Sequence, residues 1–144
     1  MIVNSFNSNI SGGGISKAIK SINISKINHE IITTICIDIG VGNIESTNTN
    51  NVIAIDNDLP AFFLQINSNK NGYIYKAEMA CIETPSTGDI DINLTFNDSD
   101  SKIYDEDVET TGTVIINPGD WIVGKMTTSS ITLTDGLENK YLYL

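Results

Sequence analysis

Apolar residues recur at every second position along most of this chain. In EIITTICIDIG, residues 30–40, Ile35, Ile37 and Ile39 fall on one face and Thr34, Cys36 and Asp38 on the other. That is the pattern of a half-buried strand, closed by Gly40. DIDINLTF repeats it, with Ile90, Ile92, Leu94 and Phe96 set against Asp89, Asp91, Asn93 and Thr95, and predicts one core face and one solvent face. In YIYKAEMACIE, Tyr73, Tyr75, Ala77, Met79 and Cys81 point inward, opposite Lys76 and Glu78. NVIAID, AFFLQIN, TGTVIIN, WIVGKM, SITLT and the closing NKYLYL read as further short strands. ISKAIKSINISK reads as a short strand leading into the fold, although Ile15, Ile19 and Ile22 also fit helical spacing.

Turn chemistry separates these runs. Asn57, Asp58 and Pro60 divide two of them, since proline cannot donate to a ladder. Asn71-Gly72 predicts a tight hairpin joining AFFLQIN to YIYKAEMACIE. TPSTGD, NPGD and DGLENK mark other turns. Roughly eight to ten short strands, with no convincing amphipathic helix, predict an all-β fold, an antiparallel jelly-roll-like β-sandwich. Residues 1–14 hold few large apolar side chains and end in Gly12-Gly13-Gly14, which reads as a flexible arm ahead of a single domain over 15–144.

Composition narrows the function. All eight basic residues are lysine, and the net charge is −10. Without arginine the chain lacks the side chain that grips phosphate in a bidentate fork, and its charge repels a polyanion, which argues against nucleic acid as a partner. The charge is uneven. No acid precedes Glu30, so Lys17, Lys20 and Lys26 make the first 29 residues basic, while the remainder sets five lysines against 18 acidic residues. Asymmetry of this kind often marks an interaction tail, although three lysines among 29 residues also arise by chance. The N-terminal residues show neither a signal peptide nor a membrane anchor, implying synthesis in a cytoplasm and no membrane partner.

Candidate chemistry is sparse. Asp98, Asp100, Asp105, Glu106, Asp107 and Glu109 could offer oxygens to Ca²⁺, but in an EF-hand register Lys102 and Ile103 fall where a ligand and the glycine belong. His29 is the sole histidine and Cys36 and Cys81 are far apart, so no zinc spacing exists and a disulfide has no support. Asp89 and Asp91 share a strand face at a separation compatible with acid–base hydrolysis of a glycoside, yet Trp121 is the only tryptophan available as a sugar platform, and it reads better as a cap on the core. No catalytic residue, cofactor or metal is assigned.

Four stretches in order, EIITTICIDI, NGYIYKAEMACIETPSTGDIDINL, GDWIVGKM and NKYLYL, resemble a family of virion structural proteins of marine tailed phages. The resemblance covers about residues 30–144. It implies a β-sandwich on the outer surface of the head, a decoration or cement protein whose partners are the major capsid protein and itself, with a receptor- or carbohydrate-binding module of a fibre or tail as the alternative. Lys17, Lys20 and Lys26 are then the expected capsid contacts. Similar sequences continue beyond YLYL into one more strand. Either this chain lacks a terminal strand that similar sequences have, or the terminal run is an edge strand completed by a neighbouring subunit of a homotrimer, with Leu142 and Leu144 at the contact.

Overall fold

The computed structural model describes residues 12–40, 51–56, 58–67, 74–84, 90–131 and 139–144. Its strands are β1 (Ile19–Ile27), β2 (Glu30–Ile37), β3 (Leu64–Gln65), β4 (Lys76–Ala80), β5 (Leu94–Asn97), β6 (Thr113–Ile116), β7 (Met126–Ser130) and β8 (Tyr141–Tyr143). The architecture is all-β and every strand pair is antiparallel. One four-stranded sheet runs β3-β8-β5-β6, and β1-β2 and β4-β7 form two-stranded ribbons. Apart from the β1-β2 hairpin the pairing is nested: β3 with β8, β4 with β7, β5 with β6.

The expected edge at the C-terminal run is corrected by this order. β8 is an interior strand, with Leu142 registered against Leu64 on one side and Phe96 on the other. Its outward extensions are also bonded, since Phe63 N–H donates to the Leu142 carbonyl and Ile53 N–H to that of Leu144, each at 2.9 Å. Leu142 is buried in its own chain's core and Leu144 packs against it, so neither needs a neighbouring subunit for cover. Tyr141 and Tyr143, of opposite parity, join a second cluster with Val52, Ala54, Ala61, Val108 and Phe62. Two-sided burial is why both parities of YLYL are large and apolar.

The same reason corrects β5. Leu94 and Phe96 face the main core as expected, but Thr95 and Asn97 are also buried. Asn97 meets its polar needs locally: its Nδ2 donates to the Val108 carbonyl at 3.2 Å and to Thr111 Oγ1 at 3.0 Å, and its Oδ1 accepts from Ser99 N–H at 2.9 Å. Buried polar groups satisfied in this way cost the fold little.

The main core lies between the inner face of the four-stranded sheet and the ribbons. Ala77 and Met79 from β4 and Ile19, Ile35 and Ile37 from β1-β2 pack against Leu64, Leu94, Phe96, Ile116 and Leu142. The hairpin expected across Asn71-Gly72 is not one between β3 and β4, which pair with β8 and β7 instead; the dipeptide itself lies outside the described residues. NVIAID contributes buried Val52 and Ala54 and an isolated bridge, Asn51 to Asp107, rather than a strand. Tyr75, expected inward, is exposed.

The triple glycine is a close-packing device and not a loose end. Gly12 N–H donates to the Phe62 carbonyl and Gly14 N–H to that of Pro60, both at 2.8 Å. A Cβ on Gly12 would overlap the Pro60 carbonyl, and one on Gly14 would stand 2.6 Å from the Leu59 oxygen. Gly13–Ile15 form a short 3-10 turn that delivers Ile15, fully buried, into the core. The flexible-arm reading is therefore corrected for residues 12–14, and residues 1–11 lie outside the described set.

Candidate docking surfaces

The residues singled out for chemistry disperse. Asp107 accepts from the amide of Thr110 at 2.9 Å and from its hydroxyl, contacts that hold its carboxyl below the ordinary range. Glu106 Oε2 accepts from Ile103 N–H at 2.9 Å, Glu109 Oε1 from Asn93 Nδ2 at 2.7 Å, and Asp98 pairs with Lys140. Asp107 and Glu106 bond within their own loop and Glu109 and Asp98 reach neighbouring segments, and among the described residues no group of three or more His, Cys, Asp or Glu side chains is placed to hold a metal ion. Asp89 lies outside the described residues. Cys36 and Cys81 are free thiols.

Trp121 is 3 % exposed and its indole N–H donates to the Ile92 carbonyl at 2.7 Å. A ring so enclosed caps the core and cannot offer a face to a sugar.

What the surface does present is the β1-β2 ribbon. A two-residue loop, Asn28-His29, joins its strands, with Asn28 at φ 56° as such loops require. Cross-strand pairs define two faces. Ile22 with Ile35, Ile24 with Thr33 and Lys26 with Ile31 lie on one, and Asn23 with Thr34, Ser25 with Ile32 and Ile27 with Glu30 on the other. The first face packs on the core only at its base, through Ile19, Ile35 and Ile37. Toward the loop the ribbon loses this cover, and Ile24, Ile27 and Ile32 are exposed on both faces. At the outer end Tyr75 Oη donates to Glu30 Oε1 at 2.9 Å, an exposed hydrogen bond that holds the phenol above its ordinary value. An isolated two-stranded ribbon is marginal in water, and this one leaves isoleucines exposed on both faces.

The three lysines expected at a capsid contact are thus on ordered backbone. Lys20 and Lys26 belong to β1 and Lys17 to the turn before it, all exposed. Lys20 Nζ stands 3.6 Å from Asp38 Oδ2, an exposed ion pair worth little by itself. Lys17 and Lys26 make no ion pair among the described residues.

A second exposed apolar surface went unread in the sequence. Ile82, Ile122, Val123 and Met126 gather where β4 ends and β7 begins. The available signal was Ile-Val directly before Gly124, whose φ of 86° turns the chain back into β7.

Comparison with protein-family models, with curated proteins and with solved structures finds no match. No helix among the described residues is long and apolar enough to cross a membrane.

Proposed function

We propose that this chain is a non-enzymatic virion structural protein, a decoration or cement protein that binds the major capsid protein on the outer surface of an assembled phage head. The observation that carries the reading is the ribbon: a lysine-bearing, isoleucine-rich element whose outer half stands clear of the core. Such an element is suited to contact and contributes no catalytic group. The nested antiparallel pairing supports it further, because a long hairpin folded over on itself is how a jelly roll is wound. Lys17 and Lys26 supply the charge offered to an acidic shell, and Lys20 is held by Asp38. The fibre or tail module is the weaker reading, since the one tryptophan suited to a sugar platform is enclosed.

A protein that binds only the assembled shell stabilises it by mass action. Purified chain mixed with undecorated heads of a marine tailed phage carrying the same four sequence stretches should co-sediment with them and raise their disruption temperature. Chain left in the supernatant, with heads disrupting at an unchanged temperature, contradicts the reading.

A further inference from the structure

Strands β1 and β2 pair only with each other, so each has one edge whose backbone groups are unbonded among the described residues. Parity says which groups these are. The two-residue loop makes Ile27 and Glu30 the bonded pair that closes the ladder, and bonded pairs recur at every second position. Ile32 and Thr34 thus bond to β1, while Ile31, Thr33 and Ile35 turn their N–H and C=O groups outward at intervals of about 6.8 Å.

Free edges invite a further strand, and proteins guard them with charge or brevity. β1 carries Lys20 and Lys26, β4 carries Lys76 and Glu78, and β3, β6 and β7 have two, four and five residues. β2 has neither guard. It runs for eight residues with no charge after Glu30, and isoleucine and threonine, the β-branched residues that suit a sheet, fill every later position but Cys36. Toward the loop the ribbon stands clear of the core, with Ile32 exposed, so another strand has room to lie along it.

A row of donors and acceptors at strand spacing is satisfied by one kind of ligand, an extended backbone. We propose that β2 takes up an extended segment of the capsid protein as an added strand, joined through the N–H and C=O groups of Ile31, Thr33 and Ile35. This rests on the head-binding reading above and adds what the ribbon recognises there, the main chain of the shell protein, with Lys26 on the neighbouring strand supplying charge.

Hydrogen exchange of the full chain, free and on undecorated heads, tests this by mass spectrometry. Deuterium uptake across residues 30–37 should fall by about three amides on binding, those of Ile31, Thr33 and Ile35, because free amides become bonded. Thr33→Pro removes the central outward N–H at an edge position where proline is tolerated. It should weaken head binding about tenfold or more, with circular dichroism and Trp121 fluorescence unchanged, whereas Thr34→Ala, whose amide bonds to β1, should bind as the native chain does. If Thr33→Pro disturbs the fold, the exchange measurement on the native chain decides alone. Native chain that binds heads with unchanged uptake across 30–37, or a folded Thr33→Pro chain that binds equally well, overturns the edge assignment and leaves head binding standing. Native chain that does not bind overturns both. A free chain of twice 15.6 kDa that Thr33→Pro returns to one copy, with head binding kept, assigns the edge to a second copy and overturns the proposal too.

Discussion

Tyr143 donates its hydroxyl to the Ser99 carbonyl at 2.8 Å, tying the strand at the centre of the sheet to the loop that covers its outer face. The residue is fully buried, and burial pushes its phenol well above the ordinary value. A raised folded value means the neutral form is the stabilised one. Its contribution is complete below the unfolded value near 10 and is lost as pH climbs toward the folded value. Denaturant melts of the native chain should therefore lose stability progressively above about pH 10. Tyr143→Phe should lose about 1 kcal/mol at neutral pH through the missing hydrogen bond and show a shallower alkaline decline. An identical alkaline slope in the two proteins contradicts this assignment.

Leu142→Ala should cost about 2–5 kcal/mol, the range for emptying a core leucine site. Because Leu142 contacts its own chain's core, the loss should be independent of protein concentration in urea melts. A concentration-dependent loss would return the residue to a subunit contact.

Trp121→Phe removes the indole N–H and leaves the Ile92 carbonyl unpaired in a buried site. The expected loss is about 1–3 kcal/mol, read by thermal melting. No loss would mean that water replaces the bond.

Gly12→Ala should destabilise the chain by about 1–3 kcal/mol, the scale for forcing an extra methyl into packed structure, since the new Cβ meets the Pro60 carbonyl. A melt unchanged from the native chain would mean that residues 12–14 are loosely held.

Strand character was legible where a single face is buried. Ile35, Ile37 and Ile39 all pack on the core as their alternation implies. It misled where both faces are covered: Thr95 looks solvent-facing in DIDINLTF, yet it is buried, and Asn97, just past that run, is buried and bonded to Val108 and Thr111. Tyr141 and Leu142 could have revealed an interior strand, because large side chains at both parities fit two-sided burial better than an edge. Pairing was the least legible. Asn71-Gly72 is a local signal, and nesting joins β3 to β8 and β4 to β7 across long stretches of chain. The β1-β2 hairpin carries no strong local signal, because Asn28-His29 lacks the glycine that advertises a tight loop.

The lysines separate binding from folding. Lys17→Glu with Lys26→Glu should leave stability within about 0.5 kcal/mol, as for other exposed substitutions, while lowering occupancy on heads. Loss of folding would remove both residues from any docking role.

Electron cryomicroscopy of undecorated heads incubated with the chain tests the central claim most directly. The account predicts a compact all-β density on the outer surface of the shell, at regular lattice positions, with the β1-β2 ribbon toward the capsid. Bare shells, or density confined to the tail and fibres, contradict it.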